Sequence, residues 1–163
     1  MITGIRYAHT NLIARDWRRL VDFYVRTLGC VIVPPERDLK GPALEAGTGV
    51  VGATLAGVHV RLPGHGPGGP TLEIFSYGVM PEKPATAIQR PGFGHLAFQV
   101  DDVGAARAEV LAAGGRALGE TVSLTIGVDR VVTWCYVTDP EDNPIELQAW
   151  RTIATVEAPD AGS

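Results

Sequence analysis

Residues 5–29 read IRYAHTNLIARDWRRLVDFYVRTLG, and residues 92–115 read GFGHLAFQVDDVGAARAEVLAAGG. Each stretch begins as an alternating strand with one histidine in it, His9 or His95. Each then reaches aspartate, Asp16 in the first and Asp101–Asp102 in the second, placed to cap a helix. In the first helix Trp17, Leu20, Val21, Tyr24 and Leu28 recur at helical spacing and make one apolar face. Gly29 suits the residue that stops it. The second helix is alanine-rich and stops at Gly114 and Gly115.

Beyond the helices, both halves continue in strands. CVIVPP (30–35) follows the first helix and is closed by its two prolines. Residues 36–56 hold a short helical turn at PALEAGTGV among loops. VHVRLPG (58–64) and TLEIFSY (71–77) form a hairpin across the Gly/Pro turn HGPGGP. After the second helix come RALGETVSL (116–124), RVVTWCYVTD (130–139), the turn PEDN, and PIELQAW (144–150). Strand–helix–strand–strand–strand is thus written twice. This predicts an α+β chain: a first βαβββ module over 1–77, a proline-rich linker over 78–92, a second module over 93–150 and a polar, frayed tail over 151–163.

The chain has 163 residues and a formal net charge of −4. No basic excess exists to grip a phosphate backbone, which argues against a nucleic-acid partner. No apolar run reaches the ~20 residues that span a bilayer, which argues against a membrane role. Residues 1–7 lack a basic-then-apolar leader, and Cys30 and Cys135 match no zinc or redox spacing. The reading is a cytoplasmic protein with two buried, reduced thiols.

Four residues stand at matching places of the repeat. His9 and His95 lie in the opening strands, and Glu73 and Glu146 lie mid-strand in the closing ones. With a side-chain period of two, His9 shares a face with Asn11, His95 with Gln99, Glu73 with Phe75 and Tyr77, and Glu146 with Gln148. The opposite faces carry Leu12, Leu72, Ile74, Leu96, Phe98, Ile145 and Leu147, which suit packing under the helices. A buried carboxylate needs a partner. Arg61 or Arg130 could supply one, but two imidazoles with two carboxylates also make a six-coordinate site for one divalent ion: Ni, Co, Mn, Fe or Zn. His59 and His65 find no counterpart in the other half and read as a sheet residue and a loop residue.

AHTNLIARDWRRLVDFYVRTLG, TLEIFSYG, RPGFGHLAFQVDDV and YVTDPEDNPIEL together resemble the vicinal oxygen chelate superfamily of glyoxalase I, bleomycin resistance proteins and extradiol dioxygenases. The resemblance spans about residues 5–150. It implies two modules curling into an open barrel around a site, metal ligands at His9, Glu73, His95 and Glu146, and a homodimer. A carboxylate at Glu73 is not usual in the extradiol group and favours the glyoxalase-like and epimerase-like branches. Ile13 and Tyr77 stand where glutathione-dependent bacterial glyoxalases carry Arg and Asn, which argues against a glutathione adduct.

The chemistry implied is removal of a proton next to a metal-chelated carbonyl of a small metabolite, a lyase or isomerase reaction. Glu146, and after it Glu73, is the expected base. Asn11, Phe75, Tyr77, Gln99, Trp134 and Gln148 are the expected substrate contacts, and Arg61 either reads an anionic group or pairs at the surface. Two other readings fit the same fold: a non-catalytic protein that sequesters an antibiotic or natural product between aromatic plates at 75, 77, 134 and 136, and a ring-cleaving dioxygenase.

Overall fold

The computed structural model describes residues 1–153. Two compact units meet in sequence between Ala85 and Thr86. The first contains β1 (His9–Ile13), α1 (Trp17–Leu28), β2 (Val31–Lys40), α2 (Pro42–Thr48), β3 (Thr54–Arg61) and β4 (Thr71–Tyr77). The second contains β5 (Leu96–Gln99), α3 (Val103–Ala112), β6 (Val122–Ile126), β7 (Arg130–Thr138) and β8 (Pro144–Thr152). Each is a βαβββ module, the first with the short α2 inserted between β2 and β3, and each has one four-stranded mixed sheet, in the order β1-β4-β3-β2 or β5-β8-β7-β6. In both, the opening strand runs parallel to the closing one and the other pairings are antiparallel.

In the first module α1 packs on β3 and β4. Trp17, Leu20, Val21 and Tyr24 are buried as the periodicity predicts, against Val58, Val60, Leu72 and Ile74. Phe23 is buried as well, edge-on to Tyr24, although it lies off that stripe. The Asp16 carboxylate accepts from the Arg19 amide at 3.1 Å. Gly29 takes the left-handed conformation (φ 67°) that ends α1. The second module repeats this with Asp102 accepting from the Ala105 amide at 2.9 Å. There α3 covers β7 and β8, with Val103, Val110, Cys135, Val137, Ile145 and Leu147 buried. Burying each such aliphatic side chain is worth about 1.5–3 kcal/mol before entropy is counted.

Several elements differ from the sequence expectation. β1 begins only at His9, not at residue 5, and β3 runs from Thr54 to Arg61 instead of over 58–64, because its limits follow its pairing with β2 and β4. β2 does not stop at Pro34 and Pro35 but runs on to Lys40, its register with β3 shifting between Val33 and Arg37. β2 is an outer strand, where a proline costs no ladder bond on its solvent side and a bulge absorbs the misfit. β5 is short. Its ladder opens at Leu96 opposite Ile145, so His95 sits just before the strand rather than within it; one step further out β8 begins with Pro144, which has no N–H to give. The stretch 116–124 is not one strand. Ala117 bridges Val137, and β6 proper starts at Val122 opposite Trp134, so the β6 side holds extra residues between the two pairings. Finally, β8 continues through Thr152. The expected frayed tail otherwise lies, from residue 154, outside the described residues.

No helix among the described residues is long and apolar enough to cross a membrane. Cys30 and Cys135 are both buried free thiols.

Candidate functional site

In the first module, the β3–β4 hairpin and the parallel β1–β4 pair set the register. His59 stands directly opposite Glu73, and Asn11 stands beside it on the other flank. His9 opens β1 opposite Thr71, one same-face step away. Glu73 therefore lies between two imidazoles. Its Oε2 is 3.1 Å from His9 Nε2, and its Oε1 is 3.0 Å from His59 Nε2. Asn11 Nδ2 adds a long contact to Oε2 at 3.3 Å. The carboxylate that could have paired with Arg61 thus has imidazoles on both oxygens instead.

Two further contacts hold His59. Its Nδ1 lies 2.9 Å from Thr71 Oγ1. Its ring meets the edge of Phe75, centroids 5.9 Å apart. Phe75 is buried because Gly57, its partner across the ladder, has no side chain; a Cβ there would lie 2.3 Å from the Phe75 ring. Burial lowers the His59 pKa below its ordinary value, against the upward pull of Glu73; Arg37 and His9 add to the lowering.

The second module builds the same figure with different groups. His95 Nε2 lies 2.8 Å from Glu146 Oε2. Across the ladder from Glu146 stands Tyr136, hydrogen-bonded to it and 5.2 Å, ring to ring, from His95. Burial, and then the Glu146 charge, raise the Tyr136 phenol above its ordinary pKa, so it stays a protonated donor. Tyr136 is thus the positional equivalent of His59: the histidine read as having no counterpart has one, of another residue type. Neither residue was singled out for this role from sequence. Counting back symmetrically from the 65–70 turn would set His59 opposite Ser76; the ladder instead closes at Arg61 opposite Thr71, which sets His59 opposite Glu73.

The other expected residues are dispersed. Trp134 and Gln148 face each other across β7–β8, on the face that carries Tyr136 and Glu146. Gln99 pairs with Gln148 from the exposed side of β5. The Gln148 amide oxygen accepts from Trp150 Nε1 at 2.7 Å. Phe75 is packed rather than open. Tyr77 lines a separate cleft of about 440 Å³ in the first module, with Arg15, Arg18 and Asp38, and none of the four candidate ligands borders it. Arg130 lies over the Trp150 ring, 4.3 Å from its centroid. His65 falls in the loop before β4.

The donor chemistry suits a divalent cation. Each module offers an imidazole nitrogen and a carboxylate oxygen 3.1 or 2.8 Å apart. Two donors bound at right angles to one ion, at about 2.1 Å each, stand about 3 Å apart. Among the described residues no three such side chains already surround one point; within each module the donors are bonded to one another.

The chain belongs to the Glyoxalase/Bleomycin resistance protein/Dioxygenase superfamily, whose family model matches residues 6–147. Solved structures share the fold. A glyoxalase family protein from Bacillus cereus is 15% identical, with a TM-score of 0.74, over 92% of this chain and 99% of that one. A mutant glyoxalase I from Zea mays is 21% identical, with a TM-score of 0.60, over 88% of this chain and 44% of that one. The fosfomycin resistance protein FosX from Listeria monocytogenes, solved with Mn(II) and sulfate, is 17% identical, with a TM-score of 0.50, over 96% and 97%. No curated protein matches the chain.

Proposed function

We propose that this chain is a divalent-metal-dependent lyase or isomerase that removes a proton next to a carbonyl of a small metabolite. His9, Glu73, His95 and Glu146 are its metal ligands, and it works as a homodimer. The observation that carries the reading is the repeated pairing of imidazole with carboxylate, His9 with Glu73 and His95 with Glu146, at 3.1 and 2.8 Å. Superfamily membership and the Mn(II) in the FosX structure support it. When bound, such an ion acts as a Lewis acid toward a carbonyl and makes the neighbouring C–H more acidic.

The protein's own groups then handle the proton. Glu146 accepts it and returns it to the same or an adjacent carbon. Glu73 is the poorer base: His9 and Asn11 share one of its oxygens and His59 takes the other. Among the described residues Glu146 is met by His95 and the Tyr136 phenol. Tyr136 can hold one carboxylate orientation while the proton is in transit. Trp134 and Gln148, on the same face, supply an apolar plate and a neutral hydrogen-bonding group.

The test is metal analysis of the purified protein, followed by solvent-deuterium exchange into a panel of α-hydroxy, α-keto and CoA-linked substrates. We expect near-stoichiometric metal and deuterium at a carbon beside a carbonyl. Metal-free protein that takes up an aromatic ligand without exchange would favour sequestration instead, and oxygen uptake with a catechol would favour ring cleavage.

A further inference from the structure

We propose that His59, with Thr71 behind it, is the positioning residue that presents a single oxygen of Glu73 to the metal; this rests on Glu73 being a ligand as proposed above. Hydrogen-bond polarity sets the arrangement. An ionised carboxylate only accepts, so the 3.0 Å contact between His59 Nε2 and Glu73 Oε1 requires the proton on Nε2. In the tautomer this contact selects, Nδ1 carries the lone pair. The 2.9 Å contact there must be the Thr71 hydroxyl donating into it. The chain of donors runs one way: Thr71 to His59, His59 to Glu73 Oε1. Oε2 is left on the side of His9 Nε2, 3.1 Å away, where a cation would be shared by the two.

The backbone enforces this order. His59 and Glu73 are ladder partners, and Thr71 is one same-face step along β4. The Phe75 edge blocks the ring from the other side, over Gly57. The second module shows what the relay adds. There Tyr136 occupies the His59 place and reaches Glu146 as a single-link donor, and the place of Thr71 is taken by Pro144, which has no hydroxyl. The two-link relay is therefore confined to the first module.

The experiment measures Co(II) affinity and absorption spectrum on the full chain for wild type, His59→Phe, His59→Gln and Thr71→Val. Gln keeps an N–H donor near the Nε2 place. His59→Phe is expected to weaken binding roughly 10- to 100-fold, as loss of a ligand's outer partner does. His59→Gln is expected to recover most of that with an unchanged Co(II) spectrum, and Thr71→Val to show a smaller loss in the same direction. Equal affinity in wild type and His59→Phe overturns the proposal. So does a His59→Gln variant as weak as His59→Phe with an altered spectrum, since His59 would then itself be a ligand. If wild type binds no metal, the functional reading fails, and nitrogen NMR of the metal-free protein decides the relay separately. A neutral His59 with its proton on Nε2, perturbed by Thr71→Val, supports the hydrogen-bond order; a proton on Nδ1 overturns it.

Discussion

At the scale of single residues the two carboxylates of the repeat have become unequal. Glu73 is met by His9, His59 and Asn11, whereas Glu146 is met by His95 and Tyr136. The less encumbered one is the better proton carrier. Glu146→Gln is therefore expected to keep part of the metal affinity but to lose deuterium exchange by about 10²-fold or more; normal exchange in that variant would remove Glu146 from the role. His59 also makes stability depend on pH. Its folded pKa lies below the ordinary 6.5, so in acid the unfolded chain binds the proton first. Stability in chelator is expected to fall as pH drops below about 6.5, and His59→Gln is expected to flatten that slope in denaturant titrations. The pairings of His9 with Glu73 and of His95 with Glu146 were foreshadowed because these residues recur at matching places. His59 and Tyr136 were not, because the repeat conserves their position beside a glutamate and not their residue type.

At the scale of elements, α1 was readable almost to the residue. Its start rests on a carboxylate cap, its face on a 3.6-residue period and its end on a left-handed glycine, and all three are local. Replacing Asp16 by Ala is expected to cost about 1 kcal/mol in chemical unfolding, with a similar cost at Asp102. The β elements were less legible because their limits are set by partners far away in sequence. β5 is cut short by what β8 offers opposite it, and β6 is delayed by the bridge of Ala117 to Val137. The prolines of β2 would end a central strand, and are tolerated only because that strand lies outermost.

At the scale of the whole molecule the chain is one supersecondary unit used twice, each copy with its own core and its own imidazole–carboxylate pair. A ligand that binds only the folded form stabilises it by mass action, about 2.7 kcal/mol at a hundred times its Kd. Adding Mn(II), Co(II) or Ni(II) is thus expected to raise Tm by several degrees, with EDTA reversing the rise and Glu73→Ala abolishing it. The two sheets also differ at their rims. The first sheet ends in β2, where Pro34, Pro35 and the register shift interrupt the row of free amides. The second ends in β6, the five residues VSLTI, which hold no proline, glycine or charge and leave Val122, Leu124 and Ile126 at 42–52% exposure. Such a strand is a template on which another chain can add in cross-β fashion, so aggregation is expected to start at β6 in preference to β2. A lysine at Leu124 is expected to slow aggregation at high concentration, read by light scattering, while leaving metal binding at the other strands of the module unchanged.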